Sequence, residues 1–242
     1  LRSEAILRKP IVMTIQEKNF STDLSVIRIR PRITGSHKRH SNLYRRFFKS
    51  VLDIALVIVA APIVVPFIAI LAIAISLDGR NPFYKQARIG KDGRLFHMWK
   101  LRSMVHDADT RLNAHLEADA EARAEWDHKQ KLTHDPRVTR LGRILRKTSL
   151  DELPQLWNVF IGDMSLVGPR PMMPDQKALY PGVTYYSMRP GITGYWQISD
   201  RNETTFAARA DFDDRYFEDV SLGTDLTVLA STVTVVLRGT GC

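Results

Sequence analysis

Hydrophobic and polar positions divide the chain into unequal stretches, and one of them dominates. From Val51 to Leu77 the sequence reads VLDIALVIVAAPIVVPFIAILAIAISL, with Asp53 as its only charge. At ~1.5 Å per helical residue such a run is long enough to cross a hydrocarbon core of ~30 Å. Pro62 and Pro66 sit near its middle. Each proline removes a helix hydrogen bond and crowds the preceding turn, so the run predicts a bent membrane helix. Arg45, Arg46 and Lys49 precede it, and Arg80, Lys85, Arg88 and Lys91 follow it. Basic flanks favour the cytoplasmic side. With both flanks basic, the residues allow a hairpin-like re-entrant helix dipping into one leaflet or a spanning helix with a tolerated proline kink.

On either side the pattern changes. Residues 1–40 show no sustained period and carry scattered Arg and Lys with Pro10, Pro31 and Gly35 as breakers, which reads as a poorly ordered basic extension near lipid headgroups and not as a signal peptide. Asn81 to Lys100 predicts two short strands joined by Gly90-Lys-Asp-Gly93. Residues 103–131 predict a polar, solvated helix, and the apolar stretch Leu222 to Leu237 predicts a helix lying on the membrane surface, with a strand as the alternative. No internal repeat is present. The division is therefore a basic extension over 1–40, a membrane-inserted segment over 41–79 and a cytosol-facing domain over 80–242.

Charge and cysteine usage narrow the partners. The 242 residues suffice for a membrane anchor plus one catalytic domain. A formal charge of +9 and a pI near 9.8 suit phosphate-rich partners: anionic lipid, a phosphorylated substrate or nucleic acid. The membrane segment moves nucleic acid well down that order. Cys242 is the only cysteine, so an internal disulfide and a cysteine metal site are both excluded, and its thiol reads as free.

The chemistry concentrates in Arg146 to Pro171, RKTSLDELPQLWNVFIGDMSLVGPRP. Ser149 or Thr148 can cap a helix starting near Leu150, and Ser149 and Glu152 have capping-box spacing, which alone would account for two acids at a helix start. Yet Asp151 and Glu152 are adjacent carboxylates surrounded by Arg143, Arg146, Lys147 and Arg170. Such a cluster suits a meeting point of metal and anionic substrate, and an aspartate can serve as a covalent nucleophile in phosphoryl chemistry.

Ordered motifs then extend along the chain: Lys49 to Asp53, Ala61-Pro62, Lys100-Leu-Arg-Ser-Met104, Asp135-Pro-Arg-Val-Thr139, Thr148-Ser-Leu-Asp-Glu-Leu-Pro-Gln-Leu156, Gly162 to Pro171, Arg189-Pro-Gly-Ile-Thr-Gly194 and Trp196-Gln-Ile-Ser199. With them the chain resembles the bacterial sugar transferases called monotopic phosphoglycosyl transferases, above all the branch that primes exopolysaccharide repeat units. The resemblance runs from about Arg45 to Gly241. It implies an α+β fold: a re-entrant membrane helix broken at Pro62, then a small, mostly helical catalytic domain with short strands and interfacial amphipathic helices. It implies a bacterial inner-membrane enzyme, facing the cytosol, that transfers a hexose-1-phosphate (galactose favoured over glucose) from a UDP-sugar to undecaprenyl phosphate and releases UMP. Asp151 would be the nucleophile and Glu152 the Mg2+ ligand. Arg146 and Arg170 would bind phosphate, with Arg102, Arg137, Arg189 and Arg201 as further candidates. The chain is shorter than family members with extra N-terminal membrane helices and reads as a minimal catalytic version. Oligomeric state is unreadable.

Two positions depart from the family pattern. Ser50 stands where a basic residue usually follows Lys49, which leaves Arg46 to replace it, and Asp200 stands where Ser-Gly-Arg-Asn has glycine. The competing classes are a peripheral membrane scaffold, which leaves the Asp-Glu and Gly-Pro-Arg-Pro motifs unexplained, and a membrane-tethered nucleic-acid binder, which is set aside.

Overall fold

In the computed structural model, which describes residues 43–77, 79–129, 132–199 and 205–237, the apolar run forms one helix, α1 (Lys49–Ser76). The basic extension over 1–40, Asp200 and Arg201 lie outside the described residues. A helix is the form that satisfies every backbone group inside lipid, and α1 with its lead-in turn Tyr44–Phe48 is long and apolar enough to cross a membrane. Asp53, Val57, Ala72 and Ile75 are buried, and Ala60, Ala61, Val64, Ile68 and Leu71 are half-buried. At ~100° per residue these positions form a single stripe. Pro62 and Pro66 are exposed on the opposite side. A proline opens the helix on its own side, so the two together favour curvature toward the stripe.

Both ends of α1 are fastened to the same domain. Near its start Val57 packs with Phe96, Met98, Val159 and Met164. Near its end Ala72 and Ile75 pack with Leu101 and Leu145. The strand shared by these contacts is β2 (Leu95–Leu101), paired antiparallel with β1 (Phe83–Ile89) in register Phe83 to Leu101 and Ile89 to Leu95. The turn between them is the expected hairpin, with Asp92 and Gly93 in the left-handed region that such tight connections use.

The polar stretch after β2 is two helices rather than one. α2 (Ala108–Ala118) stops at Asp119, whose carboxylate accepts from the N–H groups of Glu121 and Ala122 and so opens α3 (Ala120–Lys129). α4 (Arg140–Lys147) is capped by Thr139, whose Oγ1 accepts from Gly142 N at 2.9 Å. The expected capping box at Ser149 does not form. Ser149 is left-handed (φ 57°) without a side-chain cap, Leu150–Glu152 is a single 3-10 turn, and α5 (Gln155–Phe160) begins only after Pro154. Proline, lacking an N–H, suits a first helical turn.

On α5, Asn158 is fully buried and completes the edge of β2: it accepts from Trp99 N at 3.0 Å and donates to His97 O at 2.8 Å. Two three-residue strands, β3 (Ser165–Val167) and β4 (Gly191–Thr193), then pair in parallel. Their approach depends on Gly191, where a Cβ would lie 2.1 Å from Gly168 N. α6 (Tyr195–Ile198), α7 (Arg209–Asp219) and α8 (Leu222–Leu237) finish the domain. Of the two alternatives for the last segment, the structure takes the helix.

Candidate active site

The 3-10 turn after α4 presents the adjacent acids to different surroundings. Asp151 is buried, whereas Glu152 is half-buried. Lys100, from β2, reaches both: its Nζ lies 2.8 Å from Glu152 Oε1 and 3.8 Å from Asp151 Oδ2. Burial pushes the Asp151 carboxyl above its ordinary range, the Lys100 and Arg146 charges pull it back, and the neighbouring Glu152 raises it further.

The predicted cations separate into those the fold brings to this pair and those it employs elsewhere. Arg170, in the rigid Gly-Pro-Arg-Pro segment after β3, lies 4.0 Å from Glu152 Oε1. Arg146 donates through Nε to Ser103 Oγ at 2.9 Å and lies within the field of Asp151, while burial holds its guanidinium below the usual arginine range. Arg137 instead closes a two-pronged pair with Asp135, at 2.8 and 2.7 Å, and its guanidinium sits 5.2 Å from the Trp126 ring. Arg102 donates to Asn81 O at 3.0 Å and Ile75 O at 3.1 Å, the latter a carbonyl at the end of α1. Arg189 meets Ser50 Oγ at 2.8 Å and Asp53 Oδ2 at 3.3 Å, at the start of α1. Ser50, one of the two departures, thus serves as the acceptor of an arginine from β4's approach.

Two residues join the site without having been singled out as site residues in the sequence, and a third lies behind Arg170. Lys100 is one. Arg88, from β1, donates to Pro171 O at 3.1 Å and keeps a buried Nε without a partner. Arg209, at the start of α7, has its guanidinium 4.2 Å from the Trp196 ring and 4.4 Å from the Phe206 ring, again with a buried, unpartnered Nε. Arg170 faces the same Trp196 ring at 5.5 Å. Burial, reinforced by the Arg170 charge, lowers Arg88 to about 10 and Arg209 to about 9. Crowded guanidiniums with unused donors are what a polyanion relieves. Their only signal in sequence is being basic, and nothing in the spacing of Arg88, Arg170 and Arg209 announces that they meet.

Arg88, Lys100, Glu152, Gln155, Arg170 and Gly191 line a narrow cleft of about 20 Å3. A cavity of about 500 Å3 lies elsewhere, and neither Asp151 nor Glu152 lines it. The carboxylate chemistry, and not size, identifies the first as the candidate active site. For a metal, the described residues gather no group of three or more His, Cys, Asp or Glu. Two carboxylates that already draw the Lys100 ammonium do fit a hard cation that takes one or two protein ligands and completes its shell from phosphate and water.

Comparison with known proteins identifies similar chains. Residues 44–239 match the sequence model of a family described as bacterial sugar transferase. The chain is 42% identical over 234 residues to the undecaprenyl-phosphate galactose phosphotransferase of Salmonella typhimurium, covering 96% of this chain and 48% of that one. It is equally similar, over the same shares, to the UDP-galactose-lipid carrier transferase of Erwinia amylovora. To the exopolysaccharide production protein ExoY of Sinorhizobium fredii it is 38% identical over 213 residues, 87% of this chain and 93% of that one. The chain spans about half the length of the first two relatives.

Proposed function

The chain belongs to the bacterial sugar transferase family, and on that premise we propose that it transfers a hexose-1-phosphate, galactose or glucose, from a UDP-sugar to undecaprenyl phosphate. The observation that carries the reading is the Asp151–Glu152 turn with Lys100, Arg146 and Arg170 gathered about it. A carboxylate held among cations can act as a nucleophile toward a phosphate that those cations bind.

Asp151 attacks the β-phosphorus of the donor. A P–Oδ bond forms, the bond to the bridging oxygen breaks, and UMP leaves with that electron pair. The phosphate of the lipid acceptor then attacks the same phosphorus, displaces the Asp151 carboxylate and carries the sugar-phosphate away. Arg170, with Arg88 and Arg209 behind it, neutralises the diphosphate as charge moves onto UMP. Lys100 opposes the protonation of Asp151 that burial favours. Glu152, with Asp151 beside it, is the residue that would hold magnesium, which when bound offsets charge on the leaving group.

The apolar helix supports a bilayer surface as the setting of this chemistry. Fastening of both ends of α1 to one domain, with Pro62 and Pro66 on its outer side, supports a helix that enters and leaves the cytosolic leaflet of the inner membrane. A relative named for a galactose-lipid carrier and another named for exopolysaccharide production support the first membrane step of repeat-unit assembly as the role.

The test is release of UMP from UDP-galactose and UDP-glucose by purified protein, with magnesium and undecaprenyl phosphate. Release of UMP from either donor, abolished in Asp151→Asn, is expected. An Asp151→Asn protein with full turnover would remove the carboxylate from the chemistry.

A further inference from the structure

The β1–β2 hairpin has two faces. Tyr84 stands opposite Lys100, Gln86 opposite Met98 and Arg88 opposite Phe96, and because side chains alternate along a strand, these share one face. Phe83, Lys85 and Trp99 share the other, where Lys85 Nζ lies 4.2 Å from the Trp99 ring and Phe83 meets that ring edge-on. The first face floors the narrow cleft: Arg88, Met98 and Lys100 all line it. Tyr84 continues that face outward, with an aromatic ring 51% exposed. Its Cβ stands ~4.5–5.5 Å from that of Lys100, the usual spacing of cross-strand partners. Its phenol is near enough to Arg88 to favour the charged guanidinium. Neither the nucleophile nor the phosphate-binding cations give this ring a task.

The size of the cleft supplies one. About 20 Å3 holds roughly one water-sized group, so the larger parts of a nucleotide sugar rest on the rim. Their order is fixed by the donor's bonds. The hexose is esterified to the phosphorus that Asp151 attacks, and the nucleoside lies one phosphate further away. Lys100 Nζ, 3.8 Å from Asp151 Oδ2, marks the nucleophile's end of the cleft. The rim beside Lys100 therefore receives the hexose, and Tyr84 stands on that rim.

An aromatic ring presents a negative face, which attracts weakly positive C–H groups. Galactose answers it better than glucose. Its axial 4-hydroxyl leaves the C–H groups of carbons 3, 4 and 5 as one apolar patch on the opposite side of the sugar, a patch that the equatorial 4-hydroxyl of glucose breaks up. We propose that Tyr84 is a specificity-determining residue, whose ring packs against the apolar face of the donor's hexose and favours galactose over glucose. The assignment rests on the transferase reading of the same cleft.

The test is UMP release by the full chain in detergent, with magnesium and undecaprenyl phosphate. UDP-galactose and UDP-glucose are varied in turn, and UDP, which has no hexose, serves as a competing ligand. Tyr84→Thr removes the ring and keeps a strand-forming residue. Its kcat/KM for UDP-galactose is expected to fall about three- to tenfold, with a smaller loss for UDP-glucose and with UDP inhibiting as it does in the parent. Tyr84→Phe, which keeps the ring, should retain the preference that Tyr84→Thr loses. Leu95→Thr, on the opposite face of the same hairpin and 66% exposed, should change neither donor's rate, which separates contact with the hexose from a general loss of apolar surface. Equal losses for both donors, no loss for either, UDP inhibition that weakens in step, or a parent that prefers UDP-glucose would overturn the proposal. Should Tyr84→Thr fail to fold, Tyr84→Ile carries the same comparison. A parent that releases UMP from neither donor sinks the transferase reading and this assignment with it, whereas UMP release that ignores the loss of the ring sinks the assignment alone.

Discussion

Lys100 Nζ lies 2.8 Å from Glu152 Oε1, so a strand residue some fifty positions upstream holds the acid next to the proposed nucleophile. The same ammonium is 3.8 Å from Asp151 Oδ2. It is one of the charges that oppose the upward push of burial on Asp151. Removing it as Lys100→Met leaves two neighbouring carboxylates with less compensation and favours the protonated, non-nucleophilic form. A fall in kcat of about 10²-fold is expected, with partial recovery in Lys100→Arg, read from initial rates of UMP release.

Arg88 and Arg209 predict a different kinetic signature. Each is crowded against the Arg170 charge, so each guanidinium is relieved by a bound diphosphate. A charge-assisted hydrogen bond contributes ~1.5–3 kcal/mol, so Arg209→Met or Arg88→Met should raise KM for the UDP-sugar by about tenfold or more. The acceptor KM should stay as it is. Steady-state kinetics with each substrate varied in turn separates the two.

Asp213 should set part of the pH dependence of stability. Burial raises its carboxyl to about 7, against the pull of the Tyr180 hydroxyl bond at 2.7 Å and the Arg209 charge, with Asp214 adding to the rise. Between about pH 4 and pH 7 the folded protein holds a proton that the unfolded chain releases, so stability falls as pH rises through that window. The effect has an upper bound of about 4 kcal/mol. Asp213→Asn keeps an oxygen for Tyr180 and should flatten the profile. Thermal unfolding at pH 5 and pH 8 checks it: the parent loses stability between the two and the variant does not.

The root of α1 is tied to α8 by one buried acid. Asp225 accepts from Lys49 Nζ, Tyr44 Oη and Tyr216 Oη, each at 2.7 Å. Breaking a buried pair by removing one member costs about 3–5 kcal/mol, because the other charge is left uncompensated. Lys49→Met should therefore be more destabilising than Lys49→Met/Asp225→Asn, and a double-mutant cycle on unfolding free energies measures the coupling.

Much of this was legible from residues, and the failures have definite causes. The hairpin was announced by Gly-Lys-Asp-Gly, and the membrane helix by an apolar run that only a helix can carry through lipid. The single helix expected over 103–131 divides because Asp119 caps a second one, a signal present in the sequence and outweighed by the uniform polarity around it. Ser149 has the spacing of a cap but adopts a left-handed turn, and Pro154 moves the true helix start to Gln155. Arg137 stood in a basic run, yet Asp135 two residues earlier engages its fork. Lys100 and Arg88 come from β2 and β1, and only tertiary packing brings them to one cleft beside Glu152.

The direct test of the double displacement is the intact mass of the full chain after exposure to UDP-galactose or UDP-glucose with magnesium and no lipid acceptor. A mass increase equal to one hexose-phosphate is expected, localised to Asp151, accompanied by stoichiometric UMP and absent from Asp151→Asn. An unmodified protein that releases UMP only once undecaprenyl phosphate is added would contradict the account.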